Sequence, residues 1–257
     1  MKNFFVYFHE NYFNSSECLT FSVSIYLIFQ FVFWFYNLFL LVIEMNDFPL
    51  IEQYRIQKKK KKLRYQTKIL REMFRGTIEH QFSLIFSFPL LFYLLNRNGK
   101  IQIIDEFPSV STMIYQILIF ILIDDFLFYW THLLFHTRWL YKTIHCKHHL
   151  YRQPTGLVFI LSHPIESLIQ NQIPVWFGPF LFKEKHLLTL SLWLFIRVYQ
   201  TMNAHSGYDL PYITPQYYLP WLFSGTLEHD YHHEYSHSNF GSFFTIWDRL
   251  MKTRRLK

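Results

Sequence analysis

Residues 20–45 read TFSVSIYLIFQFVFWFYNLFLLVIEM, an apolar run whose one charge, Glu44, lies at its end. An α-helix needs about 20 such residues to cross the hydrocarbon core of a bilayer, so this stretch is long enough to span. It exceeds the about 7 to 15 apolar residues of a cleaved leader, lacks a small-residue cleavage site, and runs on into Asp47 and Pro49. A soluble all-α bundle would leave this run without a home.

Working outward, the polar stretch Glu52 to Arg75 carries the lysine run Lys58 to Lys62, which the positive-inside rule assigns to the cytoplasm. Two further apolar runs, Ile78 to Leu95 with Pro89 inside it and Val110 to Trp130, flank the polar Asn96 to Ser109 and predict a hairpin. Pro164 to Phe182 is apolar but broken by Asn171, Pro174, Gly178 and Pro179, which suits a kinked or re-entrant segment. Leu187 to Thr201 then brings the chain back. The expected fold class is an all-α integral membrane protein of about four hydrophobic helical elements. Residues 1–75 form an N-terminal span and basic cytoplasmic loop, and residues 76–257 carry three histidine clusters that fall together in a cytoplasmic, two-metal cap.

Composition agrees. Of 257 residues, 51% are hydrophobic and 17% charged, which excludes disorder, and alanine occurs once, at Ala204, so small-residue packing cannot dominate. The net charge of +7 is concentrated in the lysine run and in Lys252, Arg254, Arg255 and Lys257, beside apolar segments, which points to lipid headgroups and not to nucleic acid. Cys18 and Cys146 are too few for a disulfide framework.

The chain contains 14 histidines. His132 and His136 form H-x-x-x-H, and His145, His148 and His149 form H-x-x-H-H, a spacing repeated by His229, His232 and His233. On a helix, residues three or four apart share a face, so each cluster can aim its imidazoles at one point. Eight imidazoles exceed the four ligands of a closed zinc site, so two metals are implied, and imidazole suits iron, zinc, copper or nickel. Neutral imidazole ligands predict loss of metal as pH falls through the histidine range. Asp125, about two helical turns before His132, and Glu228 and Asp230, beside the third cluster, are candidates to orient ligand imidazoles through their second ring nitrogen. His233, Glu234 and His237 also spell H-E-x-x-H, a zinc peptidase pattern, yet His233 already belongs to the third cluster and Ser236, Ser238, Asn239 and Gly241 argue against a continuing helix.

Taken together, DDFLFYWTH (124–132), YKTIHCKHH (141–149), SHPIE (162–166), HSGYDLP (205–211), HDYHH (229–233), Asn239 to Phe244 and Trp247-Asp248-Arg249 resemble the fatty acid hydroxylase and sterol desaturase superfamily, and within it the 4-methylsterol oxidases. The resemblance covers roughly Gln81 to the C-terminus. It implies a non-haem di-iron enzyme of the endoplasmic reticulum membrane, with zinc an occupant in some preparations. Dioxygen would be the oxidant, NAD(P)H the electron source through a b-type cytochrome and its reductase, and a sterol 4-methyl group the target. It adds His205 to the ligand set and places His163 behind the ligands. The family usually has Arg where Leu133 stands and often His where Glu228 stands, departures that bear on the substrate. An acyl-lipid or sphingolipid hydroxylase, a sterol desaturase and a non-catalytic metal-binding membrane protein remain alternatives.

Overall fold

The computed structural model describes residues 4–13, 16–58, 67–103, 106–211 and 214–255. Lys59 to Lys62 of the lysine run and the final Lys257 lie outside them. The helices are α1 (Phe4–Asn11), α2 (Glu17–Asn46), α3 (Pro49–Glu52), α4 (Thr67–Asn98), α5 (Val110–Phe135), α6 (Arg138–Thr143), α7 (Pro164–Glu166), α8 (Ile173–Leu181), α9 (Leu187–Ala204), α10 (Pro215–Tyr218), α11 (Thr226–Tyr235) and α12 (Ile246–Leu250). Two-residue strands β1 (Ile101–Gln102) and β2 (Lys185–His186) pair in parallel.

Three helices are long and apolar enough to cross a membrane: α2, α4 from Arg71 onward, and α5. Ser16 starts α2 by accepting the Leu19 N–H on its hydroxyl, and Ser109 does the same for Thr112 at the start of α5. Their outward faces remain apolar, with Phe31, Phe35 and Leu38 on α2, Phe82, Phe86 and Leu90 on α4, and Leu118 and Leu122 on α5 all exposed. So broad an apolar surface is stable only against lipid. The inward face of α5 runs Gln116, Phe120, Asp124, Phe128 and His132, buried at intervals of four, so this helix turns its polar residues inside.

The hairpin expected of the second and third runs is not the main contact. Helix α4 packs on α2, and α5 packs on α8, because the kinked 164–182 segment occupies the groove beside α5. That segment runs from the histidine end of the bundle, where Glu166 meets His145, to the far end, where Asn98 donates to the Phe180 carbonyl. Helix α9 returns along α2, burying Leu187, Leu190 and Trp193 in a core that includes Phe21, Ile25 and Phe33.

Proline explains both breaks. In a regular helix the Pro174 ring would strike the carbonyl of Gln170; the chain instead widens into a π-turn over Ser167–Gln172, closed by the Ile173 N–H on the Leu168 carbonyl. Pro179 likewise leaves the Val175 carbonyl without a helical N–H. The Trp193 indole of α9 donates to that carbonyl at 2.8 Å, so the defect in α8 becomes a contact between helices. Gly178 lets α8 approach α5 closely, since a Cβ there would stand 3.1 Å from the Phe120 Cα.

Candidate metal centre

The ends of α5 and α9, the short 3₁₀ turn His145–Leu150 and helix α11 converge at one end of the bundle. They bring nine histidines into two groups. His132, His136, His145, His149 and His232 form one, and His148, His205, His229 and His233 the other; within each group the ligand atoms lie within 4.8 Å of one another. These are the nine residues singled out from sequence, His205 among them.

The spacing inside each group is that of ligands around an ion. In the first, the Nε2 atoms of His145 and His149 are 3.0 Å apart and those of His149 and His232 3.1 Å. In the second, His205 stands 3.3 Å from His148 and 2.9 Å from His229, and His229 stands 3.2 Å from His233. Nitrogens held at about 2.0–2.1 Å from one ion stand about 2.9–3.3 Å from each other, for right-angled or tetrahedral geometry.

Several rings are also held in the tautomer that leaves Nε2 as the donor to metal. A carbonyl oxygen only accepts, so each Nδ1 facing one must carry the proton. His132 Nδ1 donates to the Phe240 carbonyl at 3.0 Å, His232 to Ser238 at 2.8 Å and His205 to Thr201 at 2.7 Å. His145 Nδ1 lies 3.0 Å from Glu166 Oε1. The Nε2 atoms of His132 and His136 are buried without a hydrogen-bond partner among the described residues, as atoms meant for an ion would be. The donor set therefore fits two metal ions that accept nitrogen ligands.

The acids act differently from expectation. Asp125 touches no imidazole in this arrangement: its carboxylate accepts the Phe243 and Phe244 N–H groups and the Trp247 indole, because α5 turns it toward the 243–247 turn. Asp230 accepts from the Gln57 amide at 2.6 Å. His163 caps α7, its Nδ1 accepting the Ile165 N–H, and lies outside both groups. Glu228 is buried and paired with Arg254 at 3.0 Å. Sequence reasoning assigned no role to Glu166 or Asp248. Asp248 accepts the Phe240 and Gly241 N–H groups and so sets the carbonyl that receives His132. The signal for both lay in the SHPIE and Trp-Asp-Arg motifs, which do not say which ring each acid serves.

Glu166→Ala is expected to weaken metal retention about 10- to 100-fold, because an imidazole without its outer partner loses orientation and basicity. Metal content after dialysis against graded chelator checks this.

Residues 233–237 do not form a peptidase site. Helix α11 ends at Tyr235, Ser236 takes a left-handed conformation, and His237 is exposed and outside both groups.

Burial sets the electrostatics. Desolvation holds His149, His229, His232 and His233 well below the ordinary histidine value of 6.5, His145 down to about 3 and His148 to about 4. At neutral pH the rings are uncharged and able to bind metal. The unfolded chain takes up protons below pH 6.5 that the folded chain refuses, so stability falls as pH drops from 6.5 toward 3, by about 1.4 kcal/mol per group and pH unit. Thermal melts of the metal-free protein at pH 7.5 and 5.5 should differ by at least several degrees, at about 2–4 °C per kcal/mol. Equal melting temperatures would contradict the burial of neutral rings.

One cavity adjoins the second group, and another shares part of its wall. The first, of about 480 Å³, is lined by His148, His205 and His229 together with Gln170 and Arg197. The other, of about 620 Å³, lies among α2, α4, α8 and α9 and is lined by Phe29, Leu84, Phe88, Val175, Trp176 and Leu194. Phe159, Asn171, Arg197 and Thr201 belong to the walls of both. A mainly apolar cavity within the bundle thus lies next to the one at the histidines, with these four side chains in the wall between them.

Comparison with known proteins agrees with this geometry. The chain is 35% identical over 236 residues to a very-long-chain aldehyde decarbonylase of Oryza sativa subsp. indica, covering 90% of this chain and 85% of that protein. It is 34% identical over 242 residues to methylsterol monooxygenase 2-2 of Arabidopsis thaliana, covering 91% and 87%. To a C-4 methylsterol oxidase of Schizosaccharomyces pombe it is 37% identical over 151 residues, 57% of this chain and 49% of that one. No solved structure matches the chain. Residues 117–253, which contain all nine converging histidines, match the fatty acid hydroxylase family model, and with a second, full-length line of similarity beside that match, the chain belongs to the fatty acid hydroxylase family.

Proposed function

We propose that this chain is a di-iron monooxygenase of the endoplasmic reticulum membrane that oxidises the 4-methyl group of sterol precursors. The observation that carries the reading is the cavity at His148, His205 and His229, which shares Phe159, Asn171, Arg197 and Thr201 with a mainly apolar cavity among the membrane helices. A mainly apolar wall suits a lipid that enters sideways from the bilayer. The methylsterol monooxygenase relatives supply the substrate class. Two irons bound by the nine imidazoles supply dioxygen reduction and attack on an unactivated C–H bond. Each hydroxylation consumes one dioxygen, two electrons and two protons and returns water; the electrons come from NAD(P)H through a b-type cytochrome and its reductase.

The chain's own residues have separable tasks. The nine histidines bind, and the Phe240, Ser238 and Thr201 carbonyls and Glu166 fix ring orientation. Phe128, Phe159 and Trp176 exclude water from the path. With the basic 52–75 stretch in the cytoplasm, the histidine end also faces it, since α2 ends and α4 begins there.

The test is the sterol profile of cells that lack their own 4-methylsterol oxidase and express this chain or its His148→Ala variant. Accumulated 4-methylsterols should fall only with the intact chain. A second reading, a very-long-chain aldehyde or acyl lipid as substrate, is favoured by the rice relatives; unchanged sterols in the presence of metal-loaded protein would make it the leading one.

A further inference from the structure

Gln170 lies in the wall of the chamber that holds His148, His205 and His229, and it is 4% exposed. Its Oε1 is buried and has no hydrogen-bond partner among the described residues. A buried acceptor left alone is costly, so such an atom in the wall of this cavity points to a donor that arrives with the ligand. The local fold presents it: the Pro174 ring forbids a regular turn at the Gln170 carbonyl, and the π-turn over Ser167–Gln172 that results carries this side chain inward.

The two cavities divide the ligand's chemistry. Phe29, Leu84, Phe88 and Trp176 line only the cavity away from the histidines, which also has polar residues in its wall; Gln170 lines only the cavity beside them, and Arg197 and Thr201 stand between the two. A ligand that satisfies both has a long apolar body and one polar group close to the carbon presented to the metals. Arg197 is already paired with Asp124 and donates to Gln200, so the polar group need not be an anion. The atom left without a partner is the acceptor Oε1, and the group that completes it is a donor such as a hydroxyl.

We propose that Gln170 is a specificity-determining residue that accepts a hydrogen bond from a hydroxyl on the substrate, borne next to the carbon that is oxidised. In a sterol this is the 3-hydroxyl beside the 4-methyl group. The sterol identity rests on the proposed function; the hydroxyl preference does not.

The experiment is equilibrium binding to the full-length, metal-loaded protein in lipid nanodiscs without oxygen. Two ligand pairs are used: a 4,4-dimethylsterol with its 3-O-methyl ether, and a long-chain primary alcohol with its methyl ether. The parent should bind the free hydroxyl of at least one pair about tenfold more tightly. Gln170→Met should bring that ratio to about one by weakening the alcohol alone, and Gln170→Glu, which keeps an acceptor, should restore it. No preference in the parent, or an unchanged ratio in Gln170→Met, overturns the assignment. A Gln170-dependent preference in the long-chain pair, with no sterol bound, overturns the sterol reading and leaves Gln170 in its role. Binding of neither pair overturns both.

Discussion

His205→Ala is expected to retain one equivalent of metal after chelator dialysis where the parent retains two, and to lose oxidative turnover. His205 joins its group together: its Nε2 lies against both His148 and His229, and its Nδ1 is fixed on the Thr201 carbonyl. The three remaining imidazoles can still hold an ion, as three-histidine sites do, but with one ligand replaced by space in a buried chamber. The loss should therefore exceed the about 10- to 100-fold that follows from disturbing an outer partner. The five-histidine group shares no ligand with this one and should keep its ion. His237→Ala, an exposed histidine outside both groups, is the control. Metal content by mass spectrometry and turnover on the same preparations give the answer; two equivalents in His205→Ala would remove it from the ligand set.

Arg197→Met is expected to be the most destabilising single change in the bundle. The Arg197 Nε lies 3.1 and 3.0 Å from the two carboxylate oxygens of Asp124, the side chains are 4% and 0% exposed, and the guanidinium is stacked over Phe128 and Phe243. Removing the cation leaves a carboxylate with no solvent and no counter-charge inside a membrane-spanning helix. Breaking one partner of a buried pair costs about 3–5 kcal/mol. At about 2–4 °C per kcal/mol, the melting temperature in detergent should fall by roughly 6–20 °C. Asp124→Asn in the same chain should recover much of the loss, because it removes the stranded charge. A melting temperature for Arg197→Met within a degree of the parent would show that Asp124 is satisfied without it.

The long elements were legible because their cause is local. The 20–45 run, the apolar run 110–130 and the prolines of 164–182 each state a helix or its interruption within a few residues. Eight of the histidines were legible as a set for the same reason, whereas His205, alone at the end of α9, entered only through the family resemblance. Their division was not legible, since neighbours such as His148 and His149 enter different groups and only the 3₁₀ turn between them decides it. The outer partners were least accessible. A pattern search looks for carboxylates near histidines in sequence, whereas His132, His232 and His205 use main-chain carbonyls, which every residue possesses and which only tertiary placement selects. Asp125 has the right spacing from His132 and still serves the 243–247 turn, for helix rotation fixes its direction.

Helix α11 supplies His232 to one group and His229 and His233 to the other, so neither is complete before it is in place. During synthesis the three spanning helices emerge long before residue 233, and they can enter the bilayer without any ion. Metal held by these two groups would thus be captured after insertion, and it would fasten the last segments of the cap to helices already in the membrane. A cell short of the metal would accumulate chains that are inserted yet open at one end. Their unpaired imidazoles and loose C-terminal segment are what a quality-control protease could distinguish from the finished enzyme.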